Sequence, residues 1–215
     1  MFIPIVLIGA LLIAAFLMQY LLPTNKKIKM KHNIETQTAV HEAGHVIVAY
    51  CCSAVKNIVS VSIVPDLNKK DSGITHIEFN SPPNWCDVII ALSGMVGEII
   101  TYGTCSYGAI EKDLIMAKRI TKKLLLRKVP FTFDVPASQS VKFIGAFEDV
   151  EPEEAMMLEI SYRMARHIIV SQQDKFHRLI ALLLHHKICN ESQLSSVLGS
   201  RIHLKLITDN TSFIF

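Results

Sequence analysis

The sequence predicts a mainly α-helical domain with a small β-hairpin, preceded by one N-terminal transmembrane helix. Three observations predict it. Residues 2–22 carry no charge and are long enough to span a bilayer. Beyond residue 36, apolar side chains recur at helical spacing over most of the chain. Two short stretches, 59–63 and 73–79, read instead as strands, the first because Val59, Val61 and Ile63 alternate with Ser60 and Ser62.

The chain has 215 residues, of which 50% are hydrophobic and 19% charged. Its mean hydropathy of +0.34 is high for a soluble domain, and the excess is concentrated at the N-terminal end. Enough chain remains beyond that end for one domain with a real core. No repeat of 20 to 50 residues is visible. A net charge of +3 is too mild to argue for nucleic acid. Five cysteines, Cys51, Cys52, Cys86, Cys105 and Cys189, show neither CxxC spacing nor an even framework. They read as buried or free thiols of a reducing compartment and argue against a cysteine-rich zinc knuckle.

The apolar run has no positive charge ahead of it and no small-residue cleavage site, so it reads as a retained anchor, not a signal peptide. Lys26, Lys27, Lys29 and Lys31 follow at once. By the positive-inside rule the N-terminus is outside and everything after residue 22 is cytoplasmic, with the lysines near anionic lipid heads. The segments are a transmembrane helix at 1–22, a basic linker at 23–35, a domain at 36–199 and a tail at 200–215.

The first helix of the domain, about 36–54, carries His41-Glu42-Ala43-Gly44-His45. At 100° per residue, two histidines four apart lie one turn along the same face and can reach one ion. Glu42 projects between them in angle. Two neutral imidazoles with a carboxylate beside them suit zinc and a proton taken from its water. The bland alternative is a helix that happens to hold these residues in a chain with nine histidines. Gly44 weakens the helix, which makes sense if another backbone or the metal site packs closely there.

Residues 73–79 complete a hairpin beside this helix, either a purely structural one or an edge that holds an extended peptide by strand addition. Ser81-Pro82-Pro83-Asn84 is a helix-start signal. The helix 85–102 that follows is very apolar, with Ser93, Gly94 and Gly97 forming a small-residue face. Asp87 and Glu98 make it a core helix and not a second membrane span. Glu98 is either a partner of the histidines or a rim residue. In the next helix, about 109–127, Asp113 stands among Ile110, Leu114 and Ala117 and is a candidate ligand. Lys118, Arg119, Lys122, Lys123, Arg127 and Lys128 read as a solvated face that complements the helix dipole.

Residues 129–152 read as irregular, broken by Pro130, Pro136 and Pro152. Helices at 153–170 and 174–186 carry core stripes, Met157, Ile160, Met164 and Ile168 in one, Phe176, Leu179, Ile180 and Leu183 in the other. His185 and His186 are adjacent and point apart, a poor metal pair. A last short helix, 191–198, ends at Gly199.

In this order the features resemble the peptidase domain of the FtsH-type membrane-anchored ATP-dependent zinc metalloproteases, over about residues 37–198. Thr38-Ala39-Val40-His41-Glu42-Ala43-Gly44-His45 is close to the family's metal helix. Val61-Ser62-Ile63-Val64-Pro65 with Gly73-Ile74-Thr75 resembles its strand pair. Ser93-Gly94-Met95-Val96-Gly97-Glu98 is similar to its Gly-Gly-Arg-Ala-Ala-Glu-Glu helix, and Tyr162, Ala165, Ile168 and Ile169 match its late Tyr-x-x-Ala-x-x-Ile-Leu pattern. Gly108-Ala109 with Asp113-Leu114 and Ala117 looks like the Gly-Ala-x-x-Asp-Leu-x-x-Ala segment, whose aspartate is the family's third zinc ligand.

The resemblance implies a zincin-like helical peptidase fold with Zn²⁺ on His41, His45 and Asp113, water in the fourth position, and Glu42 as general base. It implies a membrane-anchored zinc metalloendopeptidase acting on unfolded or loosely structured proteins and peptides. The family suggests a ring, so a homo-oligomer is expected, a chain lacking its own motor would draw on a separate ATPase, and the mild charge gives no reason for a nucleic-acid partner. Departures are the spacing from Ala109 to Asp113, one residue longer than the family's, and Met95 and Ile99 in place of a usual arginine and glutamate. No GxxxxGK[ST] occurs, so the ATPase is absent from this chain. The alternatives are a catalytically inactive FtsH-like scaffold and an intramembrane metalloprotease.

Overall fold

The computed structural model describes residues 33–65, 72–105, 107–131 and 150–199. The expected membrane helix, most of the linker and the tail lie outside them. The described chain is mainly helical, with a three-stranded sheet. Its helices are α1 (Ile34–Cys51), α2 (Trp85–Tyr102), α3 (Tyr107–Leu126), α4 (Pro152–Ser171), α5 (Gln173–His186) and α6 (Glu191–Leu198). Its strands are β1 (Val55–Ser62), β2 (Ile74–Phe79) and β3 (Ile188–Asn190).

Helix α1 is the centre. Its N-cap is Asn33, whose side chain accepts from the Thr36 amide at 2.7 Å, so the helix starts before residue 36 and takes Ile34 and Glu35 from the expected linker. It ends at Cys51, earlier than residue 54, because the chain turns there into β1. Residues 38–51 are all buried, and α2, α4, α5 and the sheet pack around them. A helix covered on every side has no solvent face to carry polar residues, so the two histidines and the glutamate within it need partners.

Helix α2 is set by a capping box, in which the Asn84 side chain and the Asp87 carboxylate exchange bonds with the first-turn backbone. By length and composition it could cross a membrane, yet 72% of it is buried against the neighbouring helices, as a core helix requires. Its small residues serve the crossing with α1. A Cβ on Gly44 would strike the carbonyl oxygen of Ser93, and one on Gly97 would lie 3.0 Å from that of Val40. The cost of Gly44 in the helix is thus offset by backbone contact between α1 and α2.

The sheet runs β2-β1-β3, antiparallel throughout. The alternation read from Val59 fails at Val59 itself. Between the pairs Ile58↔Ile77 and Ser60↔His76 the register slips, so Val59 has no opposite residue and is 40% exposed, while Ile58 and Val61 are buried. Strand β3 is an addition to the expected hairpin, pairing Ser60, Val61 and Ser62 with Asn190, Cys189 and Ile188. Among the described residues, the far edge of β2 has no partner strand.

Helices α4 and α5 complete the core. Met157, Met164 and Ile168 are buried on the one, and Phe176, Leu179, Ile180 and Leu183 on the other. Pro152 opens α4 in the first turn, where its missing N–H is not needed. All five cysteines are free, and four of them are buried.

Candidate metal centre

The buried polar residues of α1 meet one group from each of the next two helices. His41 Nδ1 lies 2.7 Å from Glu98 Oε1 of α2, and His45 Nδ1 lies 2.8 Å from the Ile90 carbonyl oxygen. A carboxylate and a carbonyl can only accept, so each Nδ1 carries a proton, and in the neutral ring each Nε2 keeps its lone pair. Both Nε2 atoms turn inward, 3.1 Å apart. Asp113 Oδ2, from α3, lies 2.8 Å from His41 Nε2 and 3.2 Å from His45 Nε2.

Three lone-pair atoms this close repel unless something positive sits among them. Among the described residues, His41, His45 and Asp113 form a group that could hold a metal ion. Zinc bond lengths at the tetrahedral angle separate ligand atoms by about 3.3 Å, near the spacings seen here. The donor set, two neutral imidazoles and a carboxylate, also fits zinc. The group includes Asp113 despite the longer spacing from Ala109. His185 and His186 pack edge to face on α5 and belong to no such group among the described residues.

What surrounds these atoms fixes their positions. Glu98 is fully buried, a partner of His41 and not a rim residue, and its second oxygen accepts from Gln37 Nε2 at 2.6 Å. Gly94 makes room for the rings, since a Cβ there would lie 2.5 Å from His41 Nε2 and 2.6 Å from His45 Nε2. Glu42 accepts from Thr75 Oγ1 at 2.6 Å, and a Cβ on Gly73 would come within 2.6 Å of the other Glu42 oxygen. Sequence reasoning missed Gln37, Gly73 and Thr75. The available signal was a glycine two residues before a threonine in the second strand of the hairpin expected beside the HExxH helix.

A cleft of about 360 Å³ opens over this group. Glu42, His41, His45 and Asp113 lie on its wall, β2 forms one side, and Met116 and Ile120 of α3 face it from the other.

Burial alone would lower the pKa of His41, but the hydrogen bonds to Asp113 and Glu98 and the nearby carboxylate charges outweigh it and raise it to about 10. For Asp113 burial would raise the pKa, and the His45 charge with the bonds to both imidazoles holds it well below its usual value. Without metal, a proton on His41 therefore fills the place among the three atoms. A raised folded-state pKa gives stability in full below the ordinary 6.5, lost as pH rises through about 10. The depressed carboxyl gives stability above 3.8, lost as pH falls through its folded value. Metal-stripped protein should therefore melt at progressively lower temperature from pH 6.5 to 10, whereas zinc-loaded protein should lack that slope. Parallel melting curves for the two forms would contradict it.

Fold and site together define a mainly helical domain built on an HExxH helix, with a ligand group suited to a metal ion. No family model matches the chain. It is similar to the ATP-dependent zinc metalloprotease FtsH of Pelodictyon phaeoclathratiforme, 23% identical over 199 residues that cover 82% of this chain. The match covers 30% of that relative, so the chain spans less than a third of its length. The likeness supports a protease-related region.

Proposed function

We propose that this chain is a zinc metalloendopeptidase that hydrolyses peptide bonds in unfolded or loosely structured proteins. The observation that carries the reading is the pair of inward Nε2 atoms, each with its Nδ1 committed to an acceptor, with Asp113 as third donor and Glu42 on the same cleft. A bound zinc ion supplies Lewis acidity toward a peptide carbonyl and toward water. His41 and His45 would hold it through Nε2 and Asp113 through Oδ2. Glu42 takes the proton of the attacking water and delivers it to the leaving amine. Glu98, itself held by Gln37, keeps the His41 ring in the ligating tautomer. The edge of β2 that no described strand pairs offers main-chain bonds to an extended substrate, which favours chains already unfolded.

Residues 2–22 anchor the domain in a membrane as a single span with the N-terminus outside, and the peptidase faces the cytoplasm. Substrates arrive already loose or are supplied by a separate ATPase, and assembly as a homo-oligomer uses surfaces that leave β2 open.

The test is cleavage of a casein-like unfolded protein by the full chain in detergent, after zinc removal and after its return. Cleavage at internal bonds should vanish with the metal and come back with it. A protein with one zinc bound that cleaves nothing would overturn the peptidase and favour the inactive scaffold.

Thr75 should matter through Glu42. Thr75→Val keeps the shape and loses the hydroxyl that holds one carboxylate oxygen. It should lower kcat by about 10-fold with zinc content unchanged, and Thr75→Ser should restore most of it. Equal kcat for the valine variant and wild type would remove Thr75 from the machinery.

A further inference from the structure

The cleft does not end at the metal group. From α3 it is lined by Lys112, Met116 and Ile120. Seven residues advance a helix by two turns less about 20°, so Lys123 follows Met116 and Arg127 follows Ile120 on the same face. The Arg127 amide still bonds to the Lys123 carbonyl at 3.1 Å, so the helical spacing holds to this point. Both side chains are exposed, and among the described residues no carboxylate pairs with either. The cleft-side row of α3 therefore carries Lys112 beside Asp113, is apolar at Met116 and Ile120, and turns cationic again beyond them.

The far end of this row meets the far end of the cleft. Trp85 Nε1 donates to the Val129 carbonyl at 2.9 Å, so the end of α3 lies beside the start of α2. There Asp87 and Phe79 line the cleft, away from the Glu42 end of β2 marked by Gly73 and Thr75. Asp87 is already engaged as a cap, accepting from the Asn84 amide at 2.9 Å. Lys118, Arg119 and Lys122 place cations in other directions around this half-helix, as a helix dipole favours, and Lys123 and Arg127 are the two that continue the cleft-side row.

We infer that Lys123 and Arg127 form a subsite for an acidic residue of an extended peptide lying between β2 and α3. The inference rests on the peptidase reading and adds a substrate class to it. At 1.5 Å per helical residue the two cations lie about 15 and 21 Å along α3 from Asp113. An extended peptide covers that in about four to six residues. The preferred substrate has apolar residues near the scissile bond and an aspartate or glutamate four to six residues away. If the peptide pairs antiparallel to β2, the acid lies on the N-terminal side of the bond; if parallel, on the C-terminal side.

The test uses internally quenched peptides of one apolar core, with Asp, Asn or Lys placed four to six residues before or after the cleaved bond. With the full zinc-loaded chain, Asp should exceed Lys by about 5-fold in kcat/KM on one side only, through KM, and the ratio should shrink at high salt. The double variant Lys123→Glu, Arg127→Glu should reverse that order and cleave the Asn peptide as wild type does. Equal kcat/KM for the Asp and Lys peptides, or an order unchanged by the reversal, overturns the subsite. Anisotropy of the same peptides on the zinc-loaded Glu42→Gln protein reads the subsite without chemistry. A charge preference there with no cleavage by wild type would sink the peptidase reading alone.

Discussion

Glu42→Gln is expected to lower kcat for peptide cleavage by about 10²- to 10⁴-fold, the usual contribution of a placed general base. Glutamine has the same shape, and its amide oxygen can still accept from Thr75 Oγ1 in place of the carboxylate oxygen now 2.6 Å away. Fold and cleft should therefore persist. Glu42 is not a member of the three-residue ligand group, so the variant should bind zinc as wild type does. Only the proton transfer is lost, because an amide oxygen is far too weak a base to take it from water. The discriminating result combines elemental analysis with steady-state kinetics: one zinc per chain in both proteins, and cleavage in wild type alone. Equal cleavage by both would remove Glu42 from the chemistry, and zinc lost from the variant would mean that the carboxylate holds the site together in another way.

The parts of this site that could be read from the sequence are those whose geometry is local. His41, Glu42 and His45 sit on one helix, where spacing alone fixes their relation. Gly44 pointed to a close neighbour because a glycine inside a helix calls for a reason. Asp113 was reached through its apolar surroundings and a resemblance, and not through any rule linking it to His41 across 72 positions. The parts that stayed hidden depend on contacts between elements. Thr75 looked like any strand residue until β2 was laid across Glu42. Gln37 is a polar first-turn residue until Glu98 is seen beside it. Strand β3 has three residues, too few for a period, and exists only because β1 offers it an edge. The bulge at Val59 is likewise a property of a pair of strands, so one strand's alternation misplaced it.

Two glycines at the same helix crossing should fail in different ways when given a methyl group. Alanine normally stabilises a helix over glycine by about 0.5–1 kcal/mol, so any loss means that the contact made by the new Cβ outweighs this gain. At Gly44 that contact is the backbone carbonyl of Ser93, well inside van der Waals range. A backbone oxygen in the middle of a buried helix cannot swing aside, so α1 and α2 must separate along their whole contact. Gly44→Ala is therefore expected to cost more than about 3 kcal/mol, a large share of the roughly 5–15 kcal/mol that holds a domain folded. At Gly94 the new Cβ would meet side chains, the His41 and His45 rings, at 2.5 and 2.6 Å. Rings can move, but only by giving up the bonds from Nδ1 to Glu98 and Ile90 that aim them inward. Gly94→Ala should thus keep most of its helical signal and melting temperature while its zinc affinity falls by about 100-fold. Measuring thermal unfolding and zinc content on both variants separates the two. Full zinc binding in Gly94→Ala would contradict the claim that glycine is what admits the rings. A wild-type melting temperature in Gly44→Ala would show that the helices can part at little cost, and the close crossing would not be what brings His41 and His45 of α1 to Glu98 and Ile90 of α2.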